Sequence, residues 1–152
     1  MRPLPKASVV EELRREINVR PFIAQLLAQR GIKSFDEAQT FFTPNLDQLH
    51  DPFLMAGLSE SVDRILKAIE NQERVLIYGD YDVDGTSSVA LIYRFLSRFS
   101  ENLECYIPDR YSEGYGVSMT GMQFAADNEF DLLITLDCGI KATEELEWVT
   151  EQ

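Results

Sequence analysis

Residues 75–88, VLIYGDYDVDGTSS, carry the pattern that most restricts what this chain can fold into. A short apolar run ends in three aspartates at alternate positions, and a glycine and three hydroxyl residues follow. The run predicts a buried strand, and the carboxyl end of a strand in an open parallel α/β sheet is where ligands bind. Carboxylates this close raise one another's pKa unless a cation neutralises them. Asp80, Asp82 and Asp84 therefore predict a divalent-metal site at the end of a strand.

The same letters also suit the start of a calcium loop of the EF-hand type. That loop requires a glutamate at its twelfth position and a helix on each side. With Asp80 at position one, Gly85 falls correctly at position six, but position twelve is Leu91. A strand pattern also precedes the loop where the EF-hand needs a helix, so we reject an EF-hand.

Charge and composition restrict the class of protein. The net charge of -12 argues against a free-standing nucleic-acid binder, because affinity for the phosphate backbone comes from lysine and arginine. No apolar run approaches the ~20 residues of a membrane span, and the N-terminus lacks the apolar stretch of a signal peptide, so we expect a cytoplasmic protein without membrane contact. Cys105 and Cys138 fall in or beside predicted strands, where we expect buried, reduced thiols.

The first half of the chain has a helical pattern. Pro21 suits a first helical turn, Gly31 suits a C-terminal stop, and Ser34 followed by Glu37 predicts a capping box. The predicted helices span 9–19, 21–29, 35–42 and 59–72, and residues 43–55 form a loop with two prolines.

From residue 74 the pattern changes to alternating strands and helices. This order predicts a βαβαβ unit, which normally forms a parallel sheet with right-handed connections. Three strands make a narrow sheet, so we expect an α/β fold with an incomplete domain over 73–152, preceded by a helical segment over 1–72. The predicted strands are 75–79, 104–107 and 132–136, the helices between them are 86–99 and 118–128, and a further helix covers 143–152.

The last predicted strand has the same pattern as the first: the apolar run LLIT is followed by LDCG, which places Asp137 at the end of the strand. A lone aspartate there is usually a helix cap or a loop residue. In a parallel sheet, however, both strand ends lie on one edge, so Asp137 can face Asp82 and Asp84. Carboxylates converging from two strands suit a two-metal phosphoryl-transfer site, in which metals ~3.5–4 Å apart activate a water and stabilise the leaving oxygen.

These residues resemble a known family. GDYDVDGTSS and LITLDCGI resemble motifs I and II of the DHH phosphoesterase superfamily. The helical segment from RPFIAQ onward and the stretch YIPDRYSEGYGVS resemble the N-terminal region of its RecJ branch, the exonucleases specific for single-stranded DNA. The resemblance covers nearly the whole chain, and the smaller DHH phosphatases and pyrophosphatases do not share the helical segment.

The resemblance implies a Mn²⁺- or Mg²⁺-dependent hydrolase that removes nucleotides from the 5′ end of single-stranded DNA in repair and recombination. Asp82, Asp84 and Asp137 would be the catalytic metal ligands, and Asp80 a further ligand or an orienting carboxylate. We expect single-stranded DNA to be bound through the full-length protein, with a single-strand-binding protein or a helicase as partner.

Three further positions are candidates for contact with nucleic acid. Arg110 suits a clamp on a DNA phosphate, and its alternative is an ion pair with Asp109 or Glu113. Tyr115 can stack on a base, and its alternative is packing against the edge of the sheet. The hydroxyls of residues 86–88 suit a helix N-cap, and Ser87 and Ser88 also suit phosphate contact, since helix N-termini attract anions.

The chain departs from the family pattern at two points. Tyr78 stands where many relatives carry a histidine, four residues before the first metal aspartate. The Asp-His-His motif is missing, and the one histidine, His50, lies in the N-terminal loop. We therefore expect a fragment that holds half of the metal site and is inactive by itself.

Two other functions fit the family. One is a non-catalytic, RecJ-like scaffold. The retained aspartates argue against it, because a scaffold has no need to concentrate negative charge. The other is a phosphodiesterase acting on short or cyclic nucleotides. The long helical segment argues against it.

Overall fold

An apolar strand, β1 (Val75–Gly79), forms the centre of a parallel sheet in the computed structural model of this chain, which describes residues 4–152. All five of its residues are buried. It pairs with β2 (Leu103–Tyr106) on one side and with β3 (Leu132–Leu136) on the other, and the strand order is β2-β1-β3. The predicted parallel α/β sheet is confirmed. The carboxyl ends of all three strands therefore lie on one edge.

The first three helices of the chain are α1 (Ala7–Ile17), α2 (Pro21–Gln29) and α3 (Phe35–Phe42). Their apolar faces meet in one small cluster. Its buried members are Leu13, Leu27, Ile32 and Ala38. The predicted helical segment is confirmed over the described residues, and residues 1–3 lie outside them.

The ends of these helices follow the predicted signals in most respects. Gly31 adopts φ +92°, a left-handed conformation that suits the stop after α2. The Ser34 hydroxyl accepts a hydrogen bond from the backbone N–H of Glu37 at 3.3 Å. The Glu37 carboxylate, however, accepts from the backbone N–H of Lys33 at 2.6 Å, so only half of the capping box forms. Two short 3₁₀ turns, Leu46–Gln48 and Pro52–Leu54, interrupt the predicted loop.

The chain divides by packing into two units, Met1–Leu54 and Met55–Gln152. Helix α4 (Leu58–Glu70) belongs to the second unit, because Ala68 packs in the same cluster as Val75 and Ile77 of β1. The packing boundary thus lies before α4, whereas the sequence placed a boundary after it. The extent of the family domain, 73–152, stays a prediction.

The two faces of β1 pack against different helices, because successive side chains of a strand point to opposite sides. Ile77 packs with Val89 and Leu96 of α5 (Val83–Leu96). Tyr78 points the other way, towards α6 (Met119–Asp127), where a Cβ on Gly121 would lie 2.5 Å from its ring. The last helix is α7 (Thr143–Thr150). Within residues 4–152 no helix is long and apolar enough to cross a membrane.

Candidate metal centre at the carboxyl edge of the sheet

Asp80 directly follows β1 and is fully buried. Its Oδ1 accepts a hydrogen bond from the backbone N–H of Gly116 at 3.3 Å, whereas its Oδ2 has no hydrogen-bond partner among the described residues. A buried polar atom without a partner costs roughly 1–3 kcal/mol, so it requires an explanation. An oxygen in this state is available to a cation.

Asp82 begins α5 and is its N-cap. Its Oδ1 accepts from the backbone N–H groups of Asp84 and Gly85, both at 3.0 Å, and its Oδ2 accepts from the Tyr115 hydroxyl at 3.2 Å. The Gly85 amide does most to hold the pKa of Asp82 below its ordinary value, with smaller contributions from Tyr115 and the Asp84 amide against the opposing effect of burial. Asp82 is therefore ionised at neutral pH.

The N-cap prediction for the hydroxyls of residues 86–88 is wrong, because α5 begins at Val83 instead of at residue 86. Asp82 is short and anionic, which suits the cap position better than the serines that follow. Ser87 and Ser88 therefore lie inside the helix; Ser87 is exposed and Ser88 is half-buried. The Thr86 hydroxyl donates to the backbone carbonyl of Asp82 at 2.7 Å.

Asp137 lies at the end of β3 and is exposed. Partial burial raises its pKa most, and the negative charges of Asp82, Asp84 and Asp80 raise it further. Gly79 of β1 pairs with Leu136 of β3, so Asp137 follows its strand at the same level as Asp80 follows β1. The backbone of Asp137 adopts φ +58°, a conformation that aspartate tolerates better than most residues.

The four aspartates thus share one edge of the sheet. Within residues 4–152, no group of three or more histidine, cysteine, aspartate and glutamate side chains is arranged so that it could hold a metal ion. The ligand roles of Asp80, Asp82, Asp84 and Asp137 therefore stay predictions.

The two cysteines are free thiols, as predicted. Burial and then the charge of Asp80 raise the pKa of Cys138 to about 11, so it remains protonated at neutral pH. Its thiol donates to the backbone carbonyl of Leu136 at 3.1 Å. Cys105 is exposed, contrary to the prediction, because β2 lies at an edge of the sheet.

Tyr78 fixes the loop that covers this edge. Its hydroxyl donates to the backbone carbonyl of Gly116 at 2.9 Å and accepts from the backbone N–H of Ser118 at 3.1 Å. Its ring stacks on Tyr106 with 5.3 Å between ring centroids. Tyr78 therefore supports the loop, and the amide of Gly116 in turn contacts Asp80.

Glu113 is a second support of the same loop, and the sequence interpretation missed it. One carboxylate oxygen accepts from the backbone N–H of Asp109 at 2.7 Å. The other accepts from the hydroxyls of Tyr106, at 2.9 Å, and Ser118. Burial would raise the pKa of Glu113, but these hydrogen bonds outweigh it and lower the pKa. A glutamate in a polar loop carries no sequence signal for such a role.

Arg110 is not paired with either acidic neighbour, so that alternative is wrong. Asp109 accepts backbone hydrogen bonds within the loop, Glu113 is engaged as described, and no ion pair of Arg110 forms within the described part of the chain. Its guanidinium carbon lies 5.5 Å from the ring centroid of Tyr81. Tyr81 is another residue that the sequence interpretation missed, although it stands between Asp80 and Asp82.

Tyr115 is 62% exposed, so it does not pack away against the sheet. Its ring meets Tyr81 edge to face, with 5.7 Å between centroids. The carboxylates of Asp80 and Asp82 raise the pKa of its hydroxyl, which therefore stays protonated and donates to Asp82.

An open cleft of 710 Å³ lies beside Tyr115 and Asp137. Its lining includes Gly116, Cys138, Ile140 and Lys141.

Similar proteins carry the same region. The single-stranded-DNA-specific exonuclease RecJ of Bacillus subtilis is 38% identical over 141 residues, which are 93% of this chain and 18% of that protein. The protein of the same name from Thermus thermophilus is 30% identical over 148 residues, which are 97% of this chain and 21% of that protein. The chain therefore spans about a fifth of the length of these relatives.

Solved structures agree with the fold. The crystal structure of RecJ from Thermus thermophilus in complex with Mn²⁺ matches with a TM-score of 0.70 and 26% identity, over 98% of this chain and 20% of that one. A crystal structure of exonuclease RecJ bound to manganese matches with a TM-score of 0.59 and 34% identity, over 64% of this chain and 25% of that one.

The family comparison covers the part of the chain that builds the sheet and its carboxylate edge. Residues 74–152 match the family described as DHH family, N-terminal domain. Because this match takes in more than half of the chain, the protein belongs to the DHH family.

Proposed function

We propose that this chain is the N-terminal part of a divalent-metal-dependent exonuclease that degrades single-stranded DNA from its 5′ end, in the cytoplasm, during repair and recombination. The relatives named as single-stranded-DNA-specific exonucleases support this proposal. So do the solved neighbours with Mn²⁺ or Mg²⁺. Residues 73–152 would then be the first part of the family domain. The Asp-His-His motif of the family is not among these 152 residues.

The observation that carries the proposal is the state of Asp80. Its Oδ2 is buried without a hydrogen-bond partner among the described residues, beside other carboxylates whose charges raise the pKa of Asp137. A divalent cation would satisfy the oxygen and neutralise the charges together. All the candidate donors are carboxylate oxygens, which suit hard ions such as Mg²⁺ and Mn²⁺. The chemistry of these donors therefore suits the metals named for the solved neighbours, although the described side chains are not yet gathered around one point.

Each side chain would then have a stated task. Asp80, Asp82, Asp84 and Asp137 would hold the ions, which when bound polarise the phosphate and activate a water. The Tyr115 hydroxyl and the Gly116 amide orient Asp82 and Asp80 respectively. These two hydrogen bonds hold the carboxylates in place before any ion binds.

Residues near the carboxyl edge of the sheet would also contact the DNA strand. Arg110 would bind a phosphate of the strand, and the exposed ring of Tyr115 would stack on a base. Ser87 and Ser88, inside α5, are weaker candidates for phosphate contact, since the first amides of the helix already bond to Asp82. A single-strand-binding protein or a helicase would deliver the DNA.

Calorimetry with Mn²⁺ tests the metal site on the 152-residue chain itself. We expect weak binding that is lost in Asp82→Asn and in Asp137→Asn. Equal binding by the wild-type chain and both variants would contradict the proposed ligand set.

Hydrolysis tests the activity on the longer polypeptide that carries this chain. We expect Mn²⁺-dependent release of nucleotides from 5′-labelled single-stranded DNA. Hydrolysis of dinucleotides alone would favour the phosphodiesterase of short or cyclic nucleotides. No hydrolysis with any divalent metal would favour the non-catalytic scaffold.

A further inference from the structure

Arg110 keeps an unpaired positive charge in a strongly acidic neighbourhood. The chain has a net charge of -12, and Asp109 and Glu113 flank the arginine in the sequence. Both carboxylates accept hydrogen bonds from amides and hydroxyls of their own loop, and no carboxylate within residues 4–152 forms an ion pair with Arg110. No carboxylate therefore neutralises this exposed side chain within the described residues.

The contact that Arg110 does make is with an aromatic ring. Its guanidinium carbon lies 5.5 Å from the centroid of the Tyr81 ring, within the range of a cation–π interaction. The Tyr81 ring is itself held, because Tyr115 meets it edge to face at 5.7 Å with an interplanar angle of 87°. The backbone of Tyr81 is fixed between the buried Asp80 and the helix cap Asp82.

We propose that Tyr81 is a positioning residue that holds the guanidinium of Arg110 beside the carboxylate edge, ready to bind a phosphate of the substrate strand. This inference rests on the proposed function. An ion pair with an aspartate would occupy the N–H groups along the edge of the guanidinium. A ring holds the cation without accepting those N–H groups, so they remain free for phosphate oxygens. Tyr81 thereby keeps the cation near the metal site without neutralising the metal ligands.

The test compares variants at position 81 in the longer polypeptide that carries this chain. Tyr81→Leu and Tyr81→Gln remove the ring, and Tyr81→Phe keeps it. With Mn²⁺ and a 5′-phosphorylated thymidine oligonucleotide, we expect the ring-less variants to raise KM by about 2- to 5-fold, which corresponds to an exposed cation–π contact. We expect kcat to change by less than about 2-fold and Tyr81→Phe to restore KM.

A second readout is independent of hydrolysis. The Kd for the same oligonucleotide, measured by fluorescence anisotropy without metal, should rise by the same factor in the ring-less variants. Tyr93→Leu, a change of an exposed tyrosine on α5, is the matched control and should leave KM and Kd unchanged. Thermal melting of both ring-less variants checks that each is folded.

A double-variant cycle separates positioning from a general structural role. If Tyr81 acts through Arg110, adding Tyr81→Leu to Arg110→Gln should leave KM and Kd as they are in Arg110→Gln alone. Additive effects would overturn the inference, as would wild-type KM and Kd in the ring-less variants. A wild-type protein that binds DNA through these residues but hydrolyses nothing would sink the proposed function and leave the inference standing.

Discussion

Two strand ends supply the carboxylates of this edge, and they are built differently. At the β1 end, residues 80–85, Asp82 caps α5 and the backbone of Asp80 is packed tightly against Gly85. At the β3 end, residues 137–139, Asp137 is exposed and Gly139 has no other atom within 4 Å of a Cβ position. The first end is closely packed and its aspartate is engaged in a helix cap, whereas the second is open around Asp137 and Gly139.

The difference follows from the position of each strand in the sheet. β1 is paired on both sides and leads directly into α5, whereas β3 pairs only with β1 among the described residues. After β3 the next helix begins at Thr143, and its N-cap residue, Ala142, has no side chain able to cap it. A central strand followed at once by a helix therefore fixes its carboxylates more firmly than an edge strand followed by a loop.

The largest expected effect comes from adding one methyl group at the β1 end. In Gly85→Ala the new Cβ would lie 2.3 Å from the backbone oxygen of Asp80, a group that cannot turn away. We expect a loss of about 3 kcal/mol in the free energy of unfolding, the upper end for overpacking, which the ~1 kcal/mol helix-propensity gain of alanine does not offset.

Gly139→Ala is the matched control at the β3 end. Its Cβ meets nothing within 4 Å, but φ is +69°, so we expect a loss of about 1 kcal/mol. Urea unfolding of both variants measures the comparison. A larger loss for Gly139→Ala would contradict the view that the β1 end is the more tightly packed.

The bounds of helices and strands could be predicted from the sequence where local signals and the fold agree. The strands Val75–Gly79 and Leu132–Leu136 and the helix Pro21–Gln29 were predicted with the bounds that the structure shows, because each is an apolar pattern between clear start and stop residues. The start of α5 was misplaced because two kinds of residue suit a cap there, and the aspartate prevailed over the hydroxyls.

Side-chain contacts could not be predicted from the sequence where they join residues that only the tertiary fold brings together. Tyr78 and Gly116 are 38 residues apart, and only the β1–β2 pairing brings the loop of Gly116 over the tyrosine. The same holds for the ring of Tyr81 beneath Arg110. Neither pair has a sequence period or motif that would indicate it, since the loop geometry arises from long-range packing.

The loop over the β1 end gives an effect of intermediate size. Glu113→Gln replaces a carboxylate that accepts from one amide and two hydroxyls, so we expect a loss of about 1–2 kcal/mol at neutral pH. The pKa of Glu113 is lowered in the folded protein, so its contribution is complete above its ordinary value of 4.5 and declines as the pH falls through the lowered value. Thermal melting should therefore show the difference between variant and wild type shrinking below pH 4.5. A difference that stays constant with pH would mean that the ionised carboxylate is not what supports the loop.

The smallest effects separate the structural and chemical tasks of the aspartates. Asp82→Ala removes the cap of α5 and should lower the free energy of unfolding by the amount typical of a lost helix cap. Asp82→Asn keeps an oxygen that can accept from the Asp84 and Gly85 amides, so it should lose less than about half as much. Asp137→Asn should act in the opposite direction and stabilise the metal-free protein slightly, because desolvation, and then the neighbouring carboxylates, disfavour the charge of Asp137. Urea unfolding without metal measures all three. If Asp82→Asn loses as much stability as Asp82→Ala, the charge of Asp82 itself stabilises the fold. Weaker Mn²⁺ binding by Asp82→Asn would then not distinguish a lost metal ligand from a destabilised fold.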